Sequence, residues 1–288
     1  MFDVKSSLKK FIFNFSEKFG FHFLQSNFYS IIPSNKDVEL HLSQKKDNGL
    51  DDIFSNYNPN FIDEIIEFSQ NKKAIFNTSN KFIENNGYFE NLDAIFYELI
   101  IRKYCPKNII EIGAGYSTLI SEMLNKKQNY ELNVIDPYPK SFLRNLNNLS
   151  LTEKKLQDIN FSIFGKLKEN DILFIDSSHA YKLGSDVYYI FNSILQKLNK
   201  GVLVHFHDIF LPNDYPISWT KDSKIFWNEQ YFLNAFLLHN RSYNIIYPLN
   251  YLFNSAYLDK FLNLQKFYSY DYNNDNIGPG SFWIKKID

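Results

Sequence analysis

The hydrophobic pattern of this chain changes character near residue 91. Before that point, apolar residues come in short separated groups: Phe11 to Phe23, Ile53 to Phe54, and Phe61 to Phe68. In the last group Phe61, Ile65, Ile66 and Phe68 lie near helical spacing. The Asn-dense stretches around 34–60 and 70–91 read as loops. Residues 1–90 are therefore expected to form a mainly helical N-terminal extension that packs on another element.

From residue 91 onward, strand and helix patterns alternate. Asn91 to Lys103 reads as a helix closed by Pro106, and Asn108 to Ile112 as a short buried strand running into Gly113-Ala-Gly115. Tyr116 to Lys127 follows as a helix with Leu119, Ile120, Met123 and Leu124 on one side. Glu131 to Ile135 is a strand stopped by Asp136-Pro137, and Asp171 to Ile175 is a strand ending at Asp176. A helix buries Val187, Phe191, Ile194, Leu195 and Leu198; the strand Gly201 to His207 ends at Asp208. A helix over about 226–238 and strands near 243–247 and 281–284 complete the series. This order predicts an α/β fold for residues 91–288, doubly wound around a mostly parallel sheet. Right-handed crossovers place the carboxyl ends of the parallel strands on one edge, where such sheets bind ligands.

Composition narrows the classes. The 288 residues carry 31 basic and 32 acidic side chains, a formal charge of −1, with 44% hydrophobic residues. That balance argues for a globular protein and against one that lives on nucleic-acid phosphates. A single cysteine, Cys105, excludes an internal disulfide framework and a Cys-rich zinc site. It fits a reducing compartment, and its place before Pro106 suggests a buried structural thiol. No run approaches the ~20 apolar residues that span a bilayer. The expectation is a soluble, cytoplasmic protein without a membrane or nucleic-acid partner.

Candidate chemistry sits at the strand ends. Gly113-Ala-Gly115 lets the chain turn sharply after the first strand, and Ser117 or Thr118 can cap the next helix, whose N-terminus favours a negative group. Asp136 ends the following strand about 20 residues later, the place of a carboxylate that accepts ribose hydroxyls. NAD and S-adenosylmethionine both suit these features. Thr118 stands where a dinucleotide fingerprint has its third glycine, which favours the cofactor without a pyrophosphate.

At this point the chain resembles the class I S-adenosylmethionine-dependent methyltransferases. The likeness rests on Asn91-Leu-Asp-Ala94, Ile109-Ile-Glu-Ile-Gly-Ala-Gly-Tyr-Ser-Thr118, Leu173-Phe-Ile-Asp-Ser-Ser-His179, Gly201 to Phe210, and Gly278-Pro-Gly-Ser-Phe-Trp283. It covers roughly residues 86–286. The resemblance implies a Rossmann-like sheet of seven strands with the last antiparallel. It implies that Glu111, Gly113, Ala114, Gly115, Tyr116, Ser117 and Thr118 lie along the methionine portion of the cofactor, and that Asp136 holds the ribose. It further implies that Gln157 and Asp158 cradle the adenine, while Asp176, Ser177 and Ser178 close over the methionine amino group.

His179, His205 and His207 gather with Asp176 and Asp208 at neighbouring strand ends. Strand alternation puts His205 and His207 on one face, with His205 deeper and structural. His207 is the candidate general base, supported by His179 and Asp208. Asp176, His207 and Asp208 are also candidate ligands for a divalent cation such as magnesium. Tyr215 and Trp219, in the loop after Asp208, either contact the acceptor or anchor the loop. The reading is O-methylation of a small-molecule or sugar-like acceptor. The absence of an Asn-Pro-Pro-Tyr or Asp-Pro-Pro-Tyr sequence after the fourth strand agrees with oxygen as the acceptor atom. The competing readings are a methyltransferase-like binding module without catalysis and an NAD-dependent oxidoreductase. The extension 1–90 is open to a role as a lid, an acceptor cap or a homodimer contact.

Overall fold

Aliphatic runs too short for helices and closed by Gly, Asp or His build the centre of the protein. A computed structural model describes residues 4–24, 26–43, 50–70, 86–89, 91–255, 257, 259 and 278–288. The strands are β1 (Asn108–Ile112), β2 (Glu131–Ile135), β3 (Ser150–Thr152), β4 (Ile172–Ile175), β5 (Leu203–Phe206), β6 (Tyr243–Pro248) and β7 (Phe282–Lys286). They form one seven-stranded sheet in the order β3-β2-β1-β4-β5-β7-β6. β1 to β5 pair in parallel, and β7 runs antiparallel to both β5 and β6. The expected α/β, doubly wound, mostly parallel architecture is present.

The helices are α1 (Val4–Glu17), α2 (Asn35–Ser43), α3 (Asn60–Ser69), α4 (Asn91–Tyr104), α5 (Tyr116–Gln128), α6 (Asp186–Tyr189), α7 (Ile217–Lys221), α8 (Glu229–Leu238) and α9 (Leu249–Phe253). After α6 the chain continues helically in a π-turn over Ile190–Ile194. None of the described helices is long and apolar enough to cross a membrane.

Packing divides the chain into two units: residues 1–46 with 217–226, and residues 47–216 with 227–288. In the first, α2 packs on α7, and Lys224 Nζ donates to Asn35 Oδ1 at 2.9 Å. In the second, α3 packs on α4 and β6. Strand alternation then divides the apolar side chains between the two faces of the sheet. Ile109, Leu132, Val134, Ile172, Phe174 and Trp283 bury against α4 and α5. Ile110, Ile112, Ile135, Leu173, Ile175 and Phe206 bury against the helical stretch 187–195 and α8.

The starts of β1 and β4 are held by one carboxylate. Asp171 is 1% exposed. It accepts from Lys107 N, Asn108 N, Asn108 Nδ2 and Lys168 N, at 2.8, 2.8, 2.9 and 2.8 Å. Asp171→Ala leaves these donors without their acceptor, so a loss of about 3 kcal/mol of stability is expected, read from the urea midpoint.

Two expectations are corrected. The stretch 34–60 is not a loop throughout: it holds α2, a 3-10 turn at Asp52–Phe54 and the start of α3. Ser34 and Asp37 form a reciprocal cap. Ser34 N and Oγ donate to Asp37 Oδ2 at 2.9 and 2.6 Å, and Asp37 N donates to Ser34 Oγ at 3.2 Å. This Ser-x-x-Asp pattern was a readable helix start beneath the polar composition. Phe54 is buried, stacked on Tyr251 at 4.2 Å. Of the second expected loop, 71–85 lies outside the described residues. Cys105 is exposed rather than buried. Its φ of 47° makes it a left-handed helix cap ahead of Pro106, and its Sγ lies 3.4 Å from Arg102 O.

Candidate functional site

Strand register lines up four chemical positions. Ile112 pairs with Ile135 and with Ile175, and Ile175 pairs with Phe206. The next residues are Gly113, Asp136, Asp176 and His207, which therefore stand in one row at the carboxyl edge. The ladder extends into them: Gly113 N donates to Ile135 O, Asp176 N to Ile112 O and His207 N to Ile175 O, at 2.9, 2.8 and 2.9 Å.

A cleft of about 530 Å³ opens along this row, within the size range of small-ligand sites. Gly113, Asp136, Gln157, Asp176, Ser177 and Ser178 line it, as the sequence suggested, together with Tyr138, Lys155, Lys182 and Gly184–Asp186, which the sequence did not single out. Gly113 has φ +87°, and a Cβ there would lie 1.7 Å from Asp176 O, so only glycine lets the loop pass the end of β4. Around Gly115 the space is open. Asp136 Oδ2 accepts from Ala114 N at 2.9 Å and Oδ1 from Tyr138 N at 2.6 Å, which leaves further lone pairs directed elsewhere. Gln157 Nε2 donates to Gly184 O at 2.7 Å. Ser178 N and Oγ are held by Asp186. Ser177 Oγ is buried without a hydrogen-bond partner among the described residues, an acceptor and donor ready for a ligand.

The remaining expected cofactor residues stand outside the cleft lining. Glu111 is wholly buried beneath the loop, where Tyr97 Oη donates to it at 2.8 Å, Thr118 Oγ1 at 2.7 Å, and Ser121 Oγ also donates. Burial raises the Glu111 carboxyl, and the three hydroxyls offset this in part. Thr118 Oγ1 also accepts from Gly115 N at 3.2 Å. Glu111 and Thr118 thus shape the turn from below. Ser117 is buried in the first turn of α5, and Tyr116 stacks on Tyr88 at 5.9 Å with Lys140 Nζ 4.7 Å above its ring. Asp158 is exposed in a 3-10 turn.

Beside the cleft, two histidines meet two aspartates. His179 Nε2 is 3.3 Å from Asp176 Oδ1 and 3.7 Å from Asp208 Oδ2. His207 Nδ1 is 3.6 Å from Asp176 Oδ1 and 3.7 Å from Asp208 Oδ1. His179 and Asp208 have φ of 54° and 55°. These left-handed turns, which His and Asp tolerate better than most residues, aim both side chains back at Asp176. The outer nitrogens have carboxylates of their own. His179 Nδ1 lies 2.9 Å from Glu229 Oε2, and His207 Nε2 lies 3.9 Å from Asp93 Oδ2. Asp93 is itself fixed by Gly280 N and Ser281 N, at 3.1 and 2.8 Å. Trp227 packs its ring 4.3 Å from that of His179.

The electrostatics call for positive charge. Burial alone would lower His179, but Asp176, Glu229 and Asp208 raise it to about 10. Burial would lower His207 too, and Asp208 and Asp176 overcome it. Burial would raise the Asp176 carboxyl, yet His207 and His179 hold it well below the usual range. Burial keeps Asp208 raised. His205 is the structural residue expected: it is fully buried, its Nε2 is 2.9 Å from Ser281 Oγ, and burial drives its pKa down.

Asp176, His179 and Asp208 each bring one ligand atom, all within 4.8 Å of one another. The donor set fits a divalent cation, with His207 Nδ1 as a further donor. His179 was expected as a catalytic residue; the geometry makes it the nearer imidazole to the aspartate pair. Tyr215 serves as an anchor, buried, with its hydroxyl 3.2 Å from Gln230 N.

Residues 110–209 match a protein-family model described as "Methyltransferase domain". An uncharacterized protein from Archaeoglobus fulgidus is 41% identical over 98 residues, 32% of this chain and 44% of that protein. The chain thus spans less than half the length of the curated relative it matches. Among solved structures, the SAH-bound methyltransferase PaMTH1 from Podospora anserina is similar with a TM-score of 0.43 and 15% identity. The alignment covers 90% of this chain and 99% of that one. An O-methyltransferase from Bacillus cereus in complex with SAH is similar with a TM-score of 0.39 and 13% identity, over 83% and 96% of the two chains.

Proposed function

We propose that this chain, whose residues 110–209 match the methyltransferase-domain family model, is a class I S-adenosylmethionine-dependent methyltransferase that methylates a hydroxyl oxygen of a small-molecule or sugar-like acceptor. The observation that carries the reading is the double membership of Asp176, which lines the cleft and also belongs to the cluster with His179, His207 and Asp208. S-adenosylmethionine supplies an electrophilic methyl group for an in-line displacement, so the protein's work is to position the acceptor and manage its proton.

Each side chain has a share of that work. Asp136 keeps lone pairs free for the ribose hydroxyls, and Ser177 Oγ is unpaired for a polar group of the cofactor. Gly113 holds the loop against β4. Asp176, His179 and Asp208, with His207, would hold a divalent cation, which lowers the pKa of a hydroxyl bound to it. Two imidazoles in the set suit a first-row transition ion better than magnesium, which prefers oxygen donors and retained waters. Glu229 and Asp93 orient the two rings through their outer nitrogens.

Calorimetry with S-adenosylmethionine, on the wild type and on Asp136→Ala, tests the reading. Binding of the order of micromolar is expected, weakened about 30-fold or more in the variant, with no comparable binding of NAD. Absence of S-adenosylmethionine binding to the wild type would overturn the reading.

A further inference from the structure

α1 carries an apolar face that the described residues of its own unit leave open. Leu8, Phe11, Ile12 and Phe15 recur at helical spacing, and Phe19 continues the row in the turn beyond Glu17. These five side chains are between 41% and 66% exposed. Their rings form a surface ladder, with Phe11 6.1 Å from Phe15 and Phe15 5.3 Å from Phe19. The helix is held to its own unit by another side: Ser16 is buried and Phe13 stacks on His22 at 4.9 Å. The apolar row is therefore surplus to the packing of that unit among the described residues.

Charge identifies the occupant. At about 100° per residue, Lys9 lies on one flank of the row and Lys18 on the other, while Glu17 lies opposite. Lys9, Lys10 and Lys18 are exposed and make no ion pair among the described residues. This is a local excess of positive charge in a chain whose formal net charge is −1. A two-fold pairing of the same face with a second copy would set flanking lysines against lysines, which is repulsive. An anionic surface with an apolar interior satisfies both the rings and the lysines. The helix has 14 residues, about 21 Å, which is too short to span a bilayer but suited to lying in its plane.

We propose that α1 rests on anionic lipid headgroups, with Leu8, Phe11, Ile12, Phe15 and Phe19 buried in the acyl boundary and Lys9 and Lys18 at the phosphate level. The expected lack of a membrane partner rests on the absence of a bilayer-spanning apolar run, a length that an interfacial helix does not require.

The full-length chain would be co-sedimented with vesicles of phosphatidylcholine alone and of phosphatidylcholine with phosphatidylglycerol, at low and high salt. Binding at least about tenfold stronger to the anionic vesicles, and weakened by salt, is expected. The double variant Phe11→Ser/Phe15→Ser should lose about tenfold or more. Lys9→Glu/Lys18→Glu should lose several-fold, with far-UV circular dichroism unchanged because these side chains are exposed. Equal binding to neutral vesicles, or no vesicle binding by the wild type, would overturn the proposal. So would a dimer that the phenylalanine variant dissociates while vesicle binding stays unchanged, which would assign the face to a second copy.

Discussion

Asp176→Asn is expected to reduce the proposed methyl transfer by about 10³-fold while leaving the protein folded. The side chain is a third exposed, so its replacement disturbs little packing. It is the carboxylate that both His179 Nε2 and His207 Nδ1 approach, at 3.3 and 3.6 Å. An amide keeps the shape and removes the charge that collects cations there. The metal content of the purified protein should fall with the activity, measured by plasma emission after dialysis against trace metals. Glu229→Gln provides the contrast. The amide oxygen can still accept from His179 Nδ1, so a loss of about 10-fold to 100-fold is expected, as for ring-orienting partners elsewhere. Asp176→Asn activity within tenfold of wild type, with metal content unchanged, would remove the cluster from the reaction.

Gly113→Ala should be among the most damaging single substitutions in the chain, costing about 3–5 kcal/mol. Two penalties coincide: a φ of +87° that alanine adopts reluctantly, and a Cβ that would sit 1.7 Å from a backbone oxygen of Asp176. Neither can relax without separating the ends of β1 and β4, which are joined by the bond from Asp176 N to Ile112 O. Gly115→Ala separates the two glycines of the motif. Its φ is −170°, and nothing lies within 4 Å of the added methyl, so stability should change by less than about 1 kcal/mol. Cofactor affinity should nevertheless fall, because the methyl takes up open space beside the turn. Urea melts and calorimetry on the two variants distinguish a glycine required by the fold from one required by a ligand.

The contrast shows what a sequence exposes. The strand ends were legible because each aliphatic run stops at a residue with chemistry, Gly113, Asp136, Asp176 or His207, and parallel register necessarily brings such stops together. Thr118, read as a departure from a dinucleotide fingerprint, proves to have a place of its own, donating to Glu111 and accepting from Gly115 N. Other parts were hidden because they depend on tertiary contact. Glu229 lies 50 residues from His179, at the start of a helix whose pattern looks merely amphipathic. Asp93 was visible as part of a shared motif, but its contact with Gly280 and Ser281 spans most of the chain. The left-handed turns at His179 and Asp208 have no glycine to announce them. They explain why His179 joins the aspartates as closely as the anticipated His207.

The position of β7 also dictates when this sheet can be assembled. β7 is the last of the described strands in sequence, yet it lies between β5 and β6. While a ribosome is still making residues 282–286, β6 has no partner among the described strands, and β5 presents an open hydrogen-bonding edge. The nascent chain therefore carries an adhesive strand through the synthesis of some eighty residues that follow it. A chain broken off before β7 would lose two strands rather than one. Quality control would meet it as a sticky five-stranded fragment, and point changes in Phe282–Lys286 would be felt as lost yield before they were felt as altered chemistry.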